Sequence, residues 1–238
     1  MNRIEHIIEP TKLLLSWRSP TELDRGRRIV AELLRNGNDA DLKYLRNTED
    51  FAAARAEGFG GEYPGFPGDK DYSSVLAAFM RRLPPRQRSD FDKFMEAIRI
   101  PPGTEVSDFA LLGYAGAKLP GDDFYIIHPF NEAKPPFEFL LPVAGYRHYR
   151  EAVPYEKLNS GMTALFELEP DNTHNPQAIR ITIPDVSPET AGYVCRGLTP
   201  GFNKWLTRGL RITGMIERLN GISDHPMVYL FVTVRNPD

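Results

Sequence analysis

The pattern of apolar and polar residues differs between the two halves of this 238-residue chain. In the first half, apolar residues recur three or four positions apart in short stretches that end near Gly or Pro. This is the spacing of short amphipathic helices. The pattern predicts helices over residues 47–58, 73–83, 90–98 and 105–113. A short strand is predicted within residues 121–130, where GDDFYIIHPF closes the N-terminal region.

The segment from Arg27 to Leu45 allows two interpretations. Its apolar residues have helical spacing, but Asn36-Gly37, followed by polar residues, is typical of a hairpin turn. Periodicity alone leaves both open. Further on, Gly and Pro alternate with aromatic residues over 58–72, which predicts an aromatic-rich loop because this composition sustains neither a helix nor a central strand.

The second half consists of short β-like runs separated by Pro, Gly, Asn and Asp, as in small all-β barrels. The predicted strands fall within residues 137–146, 161–169, 178–183, 191–195, 210–219 and 227–234, and a helix is predicted from about Pro200 to Arg208. Pro135 and Pro136 mark a plausible domain boundary. We therefore expect an α+β protein, with a mixed α/β domain over 1–134 and a small β-barrel over 135–238 that folds by itself.

Composition and charge exclude several classes of protein. Hydrophobic residues at 41% and charged residues at 26% are ordinary for a globular protein. A net charge of -3 and a pI near 6.0 argue against a broad electrostatic wrapper of duplex nucleic acid, so any nucleic-acid site must be local. No apolar stretch is long enough to span a bilayer, and the first ten residues lack the apolar run of a signal peptide. We expect a cytoplasmic protein without a membrane partner.

Candidate catalytic and metal-binding residues are sparse. Cys195 is the single cysteine, and the five His residues show no zinc-ligand spacing. Glu167, Glu169 and Asp171 could together bind magnesium, but no Lys follows at the spacing a nuclease uses. The chain has no G-x-x-x-x-G-K-[ST] loop for ATP. We expect no catalysis, no cofactor and no metal site.

Three stretches of the second half carry a family resemblance. They are VAGYRHY at 143–149, GMTALFELEPDNTHNPQAIRI at 161–181 and GYVCR at 192–196. The middle stretch is the most specific, because a hydrophobic strand ends in E-P-x-N, at Glu169 to Asn172, and the chain returns through Ala178 and Ile179 as the next strand. This half resembles the HIRAN family.

The resemblance implies a compact OB-like barrel that, in fork-remodelling proteins, holds the free 3′ end of single-stranded DNA. Such a site needs a ring for stacking, cations for phosphates and a polar group for the terminal hydroxyl. The residues at the matching positions are Arg147, His148, His174, Asn175, Tyr193 and Arg196. The resemblance therefore implies a sensor or adaptor for DNA ends, in DNA repair or phage defence, with catalysis supplied by a protein partner.

The matching residues depart from the family pattern in the second motif. End-binding members have Tyr then Asp, the Asp accepting from the 3′ hydroxyl, where this chain has His174 and Asn175. Asn can still bond a hydroxyl, but without the strength of a carboxylate. This change favours an alternative function, a regulatory protein-interaction module of a toxin-antitoxin or phage-defence system without DNA binding.

The N-terminal half is similar to the region that precedes HIRAN modules in some bacterial proteins. It also has a faint likeness to the small N-terminal subdomain of HipA-type toxin kinases, which favours the hairpin interpretation of Arg27 to Leu45. This likeness implies a protein-interaction module.

Overall fold

The chain is organised as two compact units in a computed structural model that describes residues 2–21, 26–173, 175–222 and 225–237. The N-terminal unit comprises Ile8–Ile98 and Pro102–Glu132, and the C-terminal unit comprises Met1–Ile7, Arg99–Pro101 and Ala133–Asp238. The sequence predicted a single division before Pro135, whereas two short segments from the first half belong to the C-terminal unit. Independent folding of residues 135–238 stays a prediction.

In the part of the chain that the structure describes, the N-terminal unit combines one antiparallel sheet with four short helices. The elements are β1 (Lys12–Trp17), β2 (Arg28–Asn36), β3 (Asp39–Tyr44), α1 (Glu49–Ala56), α2 (Leu76–Met80), α3 (Phe91–Ala97), α4 (Asp108–Ala115) and β4 (Phe124–Ile127). The sheet has the order β3-β2-β1-β4. The predicted strand and the four predicted helices are confirmed, although the helices begin later than the apolar pattern suggested or end earlier.

The hairpin interpretation of Arg27 to Leu45 is confirmed. Strands β2 and β3 pair in antiparallel register from Asn36↔Asp39 at the turn to Ala31↔Tyr44. Gly37 has a φ of +60° in this turn, a conformation that suits glycine because it has no Cβ. The apolar residues that gave helical spacing are divided between the two faces of β2.

Side-chain caps fix the starts of two helices in this unit. The Thr48 hydroxyl accepts from the backbone N–H of Phe51 at the start of α1, and the Ser107 hydroxyl accepts from Ala110 N–H at the start of α4. Each cap satisfies a backbone donor that the first helical turn leaves without a partner. Helix α4 then ends at Gly116, which has a φ of +67°.

The C-terminal unit is built around a six-stranded antiparallel sheet with the order β5-β10-β9-β6-β7-β8. The strands and helix are β5 (Phe137–Pro142), β6 (Thr163–Leu168), β7 (Ile179–Ile183), β8 (Ser187–Tyr193), α5 (Thr199–Thr207), β9 (Arg211–Ile222) and β10 (His225–Arg235). Every strand predicted from the second half and its one helix are confirmed. The protein is therefore α+β, as the sequence predicted.

The edges of this sheet are joined at one point. An isolated antiparallel bridge pairs Ala144, just after β5, with Tyr193 at the end of β8. Along the described residues, β5 and β8 share this bridge rather than a continuous ladder, so the two edges of the sheet meet at one point and no closed barrel forms there.

Helix α5 supplies the aromatic core of the C-terminal unit. The Trp205 ring lies 5.2 Å from that of Phe137, and Phe202 lies 6.1 Å from Phe139 and 5.1 Å from Phe166, as measured between ring centroids. These contacts bury the apolar side of the helix against the sheet. Within the described ranges, no helix has the length and apolar character needed to cross a membrane.

The two segments contributed by the first half are tied into the C-terminal unit by burial and hydrogen bonds. Ile4 and Ile100 are fully buried. The carboxylate of Glu217 accepts from Asn2 Nδ2 at 2.6 Å and from Arg99 Nε at 2.5 Å. These contacts make both segments structural parts of the unit.

Candidate nucleic-acid interface

The turn after β5 presents two of the predicted site residues at the surface. Gly145, with a φ of +75°, leads into a 3-10 turn over Tyr146–His148. The Tyr146 ring is buried, its hydroxyl donates to Val153 O at 2.7 Å, and burial raises its pKa to about 12. The buried Tyr146 fixes the turn in place. Arg147 is half-buried and His148 is exposed. Arg147 Nε donates to His148 Nε2 at 3.3 Å.

The bridge between Ala144 and Tyr193 places a second predicted residue beside this turn. Each residue donates its N–H to the other's carbonyl at 2.9 Å. The preceding residue must be glycine, because a Cβ on Gly192 would lie 2.5 Å from Val143 Cγ1 and 2.6 Å from the Ala144 carbonyl oxygen. The stretch GYVCR at 192–196 is thus bonded to the stretch VAGYRHY at 143–149, and the two backbones come so close that only glycine fits at Gly192.

The Tyr193 side chain is the centre of a polar network. Its ring contacts the Tyr149 ring edge-on, with centroids 5.9 Å apart. Its hydroxyl donates to Glu169 Oε2 at 2.9 Å, and Asn172 Nδ2 donates to the same oxygen at 2.6 Å. Burial, followed by the hydrogen bonds with Tyr149 and Glu169, raises the pKa of Tyr193 well above its usual value. Tyr193 therefore remains a protonated donor.

The loop between β6 and β7 is shaped by its own asparagine side chains. Asn172 Oδ1 accepts from Asn175 N–H at 3.0 Å, and Asn175 Oδ1 accepts from Gln177 N–H at 3.0 Å. Side chains of this type commonly stabilise turns in this way. Asn175 is half-buried and keeps its amide NH₂ as a donor, whereas the predicted residue His174 lies outside the described residues.

Arg196 follows Tyr193 by three positions, in the turn that leads to α5. The Cys195 carbonyl accepts from Leu198 N–H at 2.9 Å and from Thr199 N–H at 3.1 Å, which fixes this turn. The Arg196 side chain is exposed.

Four of the predicted residues therefore lie on segments that are joined through Tyr193. The bridge to Ala144 connects Tyr193 with the turn of Arg147 and His148, and Glu169 connects it with the asparagine loop. Sequence reasoning did not assign Tyr149 or Glu169 to the site. The signals were present, since Tyr149 follows His148 directly and Glu169 belongs to the E-P-x-N motif.

The three acidic residues considered for magnesium do not form a metal site. Glu167 Oε2 accepts from Arg180 Nε at 2.8 Å and from Arg180 Nη2 at 2.5 Å. Glu169 is engaged by Tyr193 and Asn172 as described above. Among the described residues, no group of three or more His, Cys, Asp and Glu side chains is arranged to hold a metal ion.

Comparison with known proteins finds two similar solved structures. The HIRAN domain of human HLTF aligns with 41% of this chain and 74% of its own, at 17% identity and a TM-score of 0.34. A protein from Lactobacillus plantarum aligns with 40% of this chain and 92% of its own, at 22% identity and a TM-score of 0.33. No family model and no curated protein matches the chain. None of these comparisons supports the likeness of the N-terminal half to HipA-type kinases.

Proposed function

We propose that the C-terminal unit binds nucleic acid and recognises single-stranded DNA or its 3′ end, and that the protein acts as a sensor or adaptor, not as an enzyme. The observation that carries this proposal is the junction at Tyr193. It joins the turn of Arg147 and His148 to the loop of Asn172 and Asn175. The junction combines a cation, aromatic rings and polar groups, which a single-strand site requires.

The charge of the protein restricts the mode of binding. With a net charge of -3, the protein has no general attraction for polyanions. Arg147 and Arg196 would contact only a few phosphates, so we expect weak, salt-dependent binding that is confined to those phosphates. Such a site suits a module that marks DNA ends for a partner enzyme, in DNA repair or phage defence.

The direct test is fluorescence anisotropy with single-stranded and duplex oligonucleotides, each with a free or a phosphorylated 3′ end. Wild type should prefer single strands with free ends. Arg147→Ala removes a charged donor to phosphate, worth about 1.5–3 kcal/mol, and should weaken binding by about 10- to 100-fold. The matched control is Arg235→Ala, which also removes an exposed cation. Arg235 ends β10, and its neighbour Val234 pairs with Phe137 at the start of β5, whereas the turn of Arg147 follows the end of β5.

Three results would contradict this function. If wild type and all variants bind free and phosphorylated 3′ ends equally, the site does not recognise DNA ends. A salt slope that implies many released counterions would contradict a small pocket. Absence of binding to any oligonucleotide would leave the second candidate as the better one.

The second candidate is a regulatory protein-interaction module of a toxin-antitoxin or defence system. Two observations favour it. Leu165 and Leu168 on β6 are exposed by 43% and 46%, which leaves apolar surface beside the site. In addition, the side-chain oxygen of Asn175 already accepts a hydrogen bond from Gln177 N–H within the turn.

A further inference from the structure

The aromatic-rich loop over 58–72 borders a cavity in the N-terminal unit. The cavity has a volume of about 380 Å³, within the range of small-molecule sites. The rest of its wall comes from the turn after β3 and from α1. Two arginines line it, Arg46 from that turn and Arg55 from the last turn of the helix. The cavity therefore combines a size suited to a small organic molecule with two cations.

The loop is fixed in place by its own contacts. The Tyr44 hydroxyl donates to Phe66 O at 2.5 Å and accepts from Tyr63 N–H at 2.8 Å. Two glycine-containing stretches of the loop touch, because a Cβ on Gly68 would lie 1.8 Å from the Gly61 carbonyl oxygen. A cavity wall that is already ordered loses little conformational entropy when a ligand binds.

Arg46 is held at the cavity with part of its guanidinium unused. Its Nε donates to Gly68 O at 2.7 Å and its Nη1 to Asp71 Oδ1 at 3.0 Å. The Cζ atom lies 5.3 Å from the centroid of the Tyr44 ring. Nη2 is buried and bonds to none of the groups that the structure describes. A buried donor without an acceptor costs free energy, and an oxyanion that accepts from Nη2 would remove this cost.

Arg55 presents a second guanidinium at the cavity. The side chain is exposed, and its Nη1 donates to Phe59 O at 2.9 Å. The guanidinium lies against Gly61, where a Cβ would come within 2.8 Å of Nη1. Arg55 forms no ion pair with the residues that the structure describes. Its charge is therefore available to an anion in the cavity.

Two exposed carboxylates, Glu62 and Asp69, also line the cavity. Water and salt screen the repulsion between exposed carboxylates and an anion, and a carboxylate is a strong acceptor for a hydroxyl. The lining therefore suits a ligand that has both an anionic group and hydroxyls. A phosphate group can accept from two guanidiniums at once through its three terminal oxygens, whereas one guanidinium fork already occupies both oxygens of a carboxylate.

We propose that this cavity binds a small polyol phosphate. Arg46 and Arg55 hold its phosphate group. Its hydroxyls donate to Glu62 and Asp69. Binding turns the Arg46 guanidinium so that Nη2 reaches the phosphate, a movement for which this side chain, 34% exposed, has room. The inference goes beyond the proposed function, because all of these residues belong to the N-terminal unit.

The test is isothermal titration calorimetry of the full-length protein with glycerol phosphate, inorganic phosphate, acetate and glycerol. Arg55→Gln removes the cation that forms no ion pair, and Arg46→Lys keeps a positive charge but loses the planar fork. Arg88→Gln is the matched control, because it removes an exposed arginine of the same unit that does not line the cavity. The urea midpoint of each variant establishes that it is folded. If Arg46→Lys does not fold, Arg55→Gln decides the test.

For wild type, we expect glycerol phosphate to bind with a dissociation constant of about 1 mM or lower. Inorganic phosphate and acetate should bind more weakly, and glycerol should not bind. Arg55→Gln and Arg46→Lys should each weaken the binding of glycerol phosphate by about tenfold or more, since each loses charged hydrogen bonds. Arg88→Gln should retain the wild-type affinity. The double variant Glu62→Gln and Asp69→Asn should lower the preference for glycerol phosphate over inorganic phosphate.

Several outcomes would overturn the inference. It is wrong if wild type binds neither phosphate probe at about 10 mM, or if Arg55→Gln binds glycerol phosphate as wild type does. It is also wrong if Arg88→Gln loses as much affinity as Arg55→Gln, because net charge alone would then explain binding. Acetate that binds as tightly as glycerol phosphate would contradict the phosphate group, and inorganic phosphate that does so would contradict the hydroxyl contacts.

These outcomes are separate from those of the proposed function. Arg147 belongs to the C-terminal unit, so Arg147→Ala should leave the binding of glycerol phosphate unchanged. Arg55→Gln should in turn bind oligonucleotides as wild type does. Failure of one proposal therefore leaves the other standing, and a variant that impairs both kinds of binding would contradict their assignment to different units.

Discussion

Two arginines of the same chain show how differently its two units use polar side chains. Arg82 in the N-terminal unit is buried, and its guanidinium donates to Ala117 O at 2.7 Å, to the Tyr63 hydroxyl at 3.0 Å and to Phe124 O at 3.3 Å. Arg147 in the C-terminal unit lies on a surface turn. A buried cation with every nitrogen bonded to the protein stabilises the fold, whereas a cation on a surface turn is exposed to solvent on at least one side.

The histidines repeat this difference. His128 in the N-terminal unit is buried and stacks on Phe130 with ring centroids 3.7 Å apart, whereas His148 in the C-terminal unit is exposed. Residue type alone therefore does not identify a binding residue. A binding residue is identified by its hydrogen bonds and by how far its side chain is buried.

The comparison can be measured separately in each unit, because the chain has two tryptophans and they lie in different units. Trp17 belongs to β1 of the N-terminal unit and Trp205 to α5 of the C-terminal unit, and both are buried. Trp17→Phe and Trp205→Phe leave one fluorescent reporter each. Urea unfolding of the two variants then reports the free energy of unfolding of one unit at a time.

The largest effect is expected for Arg82→Ala. Removing this guanidinium leaves Asp122, which is 16% exposed, without its ion pair and takes the donor from the Tyr63 hydroxyl and from two backbone carbonyls. Breaking a buried ion pair by removing one partner typically costs about 3–5 kcal/mol. The transition reported by Trp17 should move to lower urea. Arg88→Ala is the control, because Arg88 pairs with Asp90 at an exposed position and should change stability by less than about 1 kcal/mol. An equally small effect of Arg82→Ala would contradict its structural role.

Ile4→Ala should have the next largest effect, and in the other unit. Ile4 is 1% exposed, and truncating a buried Ile to Ala typically costs about 2–5 kcal/mol. We expect the loss in the transition reported by Trp205. The control is Leu165→Ala, which truncates an exposed aliphatic side chain of β6 and should change little. If the loss is instead reported by Trp17, the assignment of the first residues to the C-terminal unit is wrong.

His128 should make the N-terminal unit sensitive to acid. Its Nε2 donates to Ile8 O at 3.0 Å and its Nδ1 accepts from Phe130 N–H at 3.1 Å, so both ring nitrogens are used in the neutral form. Burial lowers its pKa from 6.5 to about 4. Between these values the unfolded chain binds the proton more readily, so stability falls as pH decreases through this window, by about 3 kcal/mol in full.

The check on this pH dependence is the Trp17 transition between pH 7 and pH 4. His128→Gln should remove the His128 component, and the curves of wild type and variant should converge as the pH falls. His148→Gln is the control: His148 belongs to the C-terminal unit, so this substitution should leave the Trp17 transition of the N-terminal unit unchanged. A constant gap between wild type and His128→Gln across the range would refute the neutral buried histidine.

Most elements of the fold could be predicted because their signals are local. Short-range spacing, the caps at Thr48 and Ser107, and the turn at Gly37 define helices and strands within their own segments. The membership of residues 2–7 and 99–101 in the C-terminal unit could not be predicted, because it depends on packing between positions far apart in the sequence.

The candidate site divides in the same way. Arg147, Tyr193 and Arg196 could be named from the motifs. Tyr149 and Glu169 lie beside or within these motifs, but their contacts with Tyr193 could not be predicted, because those contacts depend on which loops the sheet brings together. The same holds for the acidic residues, since the spacing of Glu167 and Glu169 does not reveal that Arg180 binds the first and Tyr193 the second.

The smallest effect is expected for Asn175→Asp, which tests the departure from the family pattern. Asp keeps the oxygen that accepts from Gln177 N–H, so the turn should be preserved and neither tryptophan transition should move. The new carboxylate is a stronger acceptor for a terminal hydroxyl, but it also adds negative charge near phosphate. These two effects oppose each other in affinity, so we expect a change below about 1 kcal/mol in overall binding.

The gain should appear as selectivity, because only the hydroxyl end benefits from the acceptor and only the phosphorylated end suffers the added repulsion. The ratio of the dissociation constant for the phosphorylated end to that for the hydroxyl end should therefore rise by a few-fold in Asn175→Asp. Asn175→Ala separates the turn from the ligand, since it removes the acceptor for Gln177 and should destabilise the loop without raising the ratio. If Asn175→Asp leaves the ratio unchanged, the asparagine loop does not recognise the terminal hydroxyl.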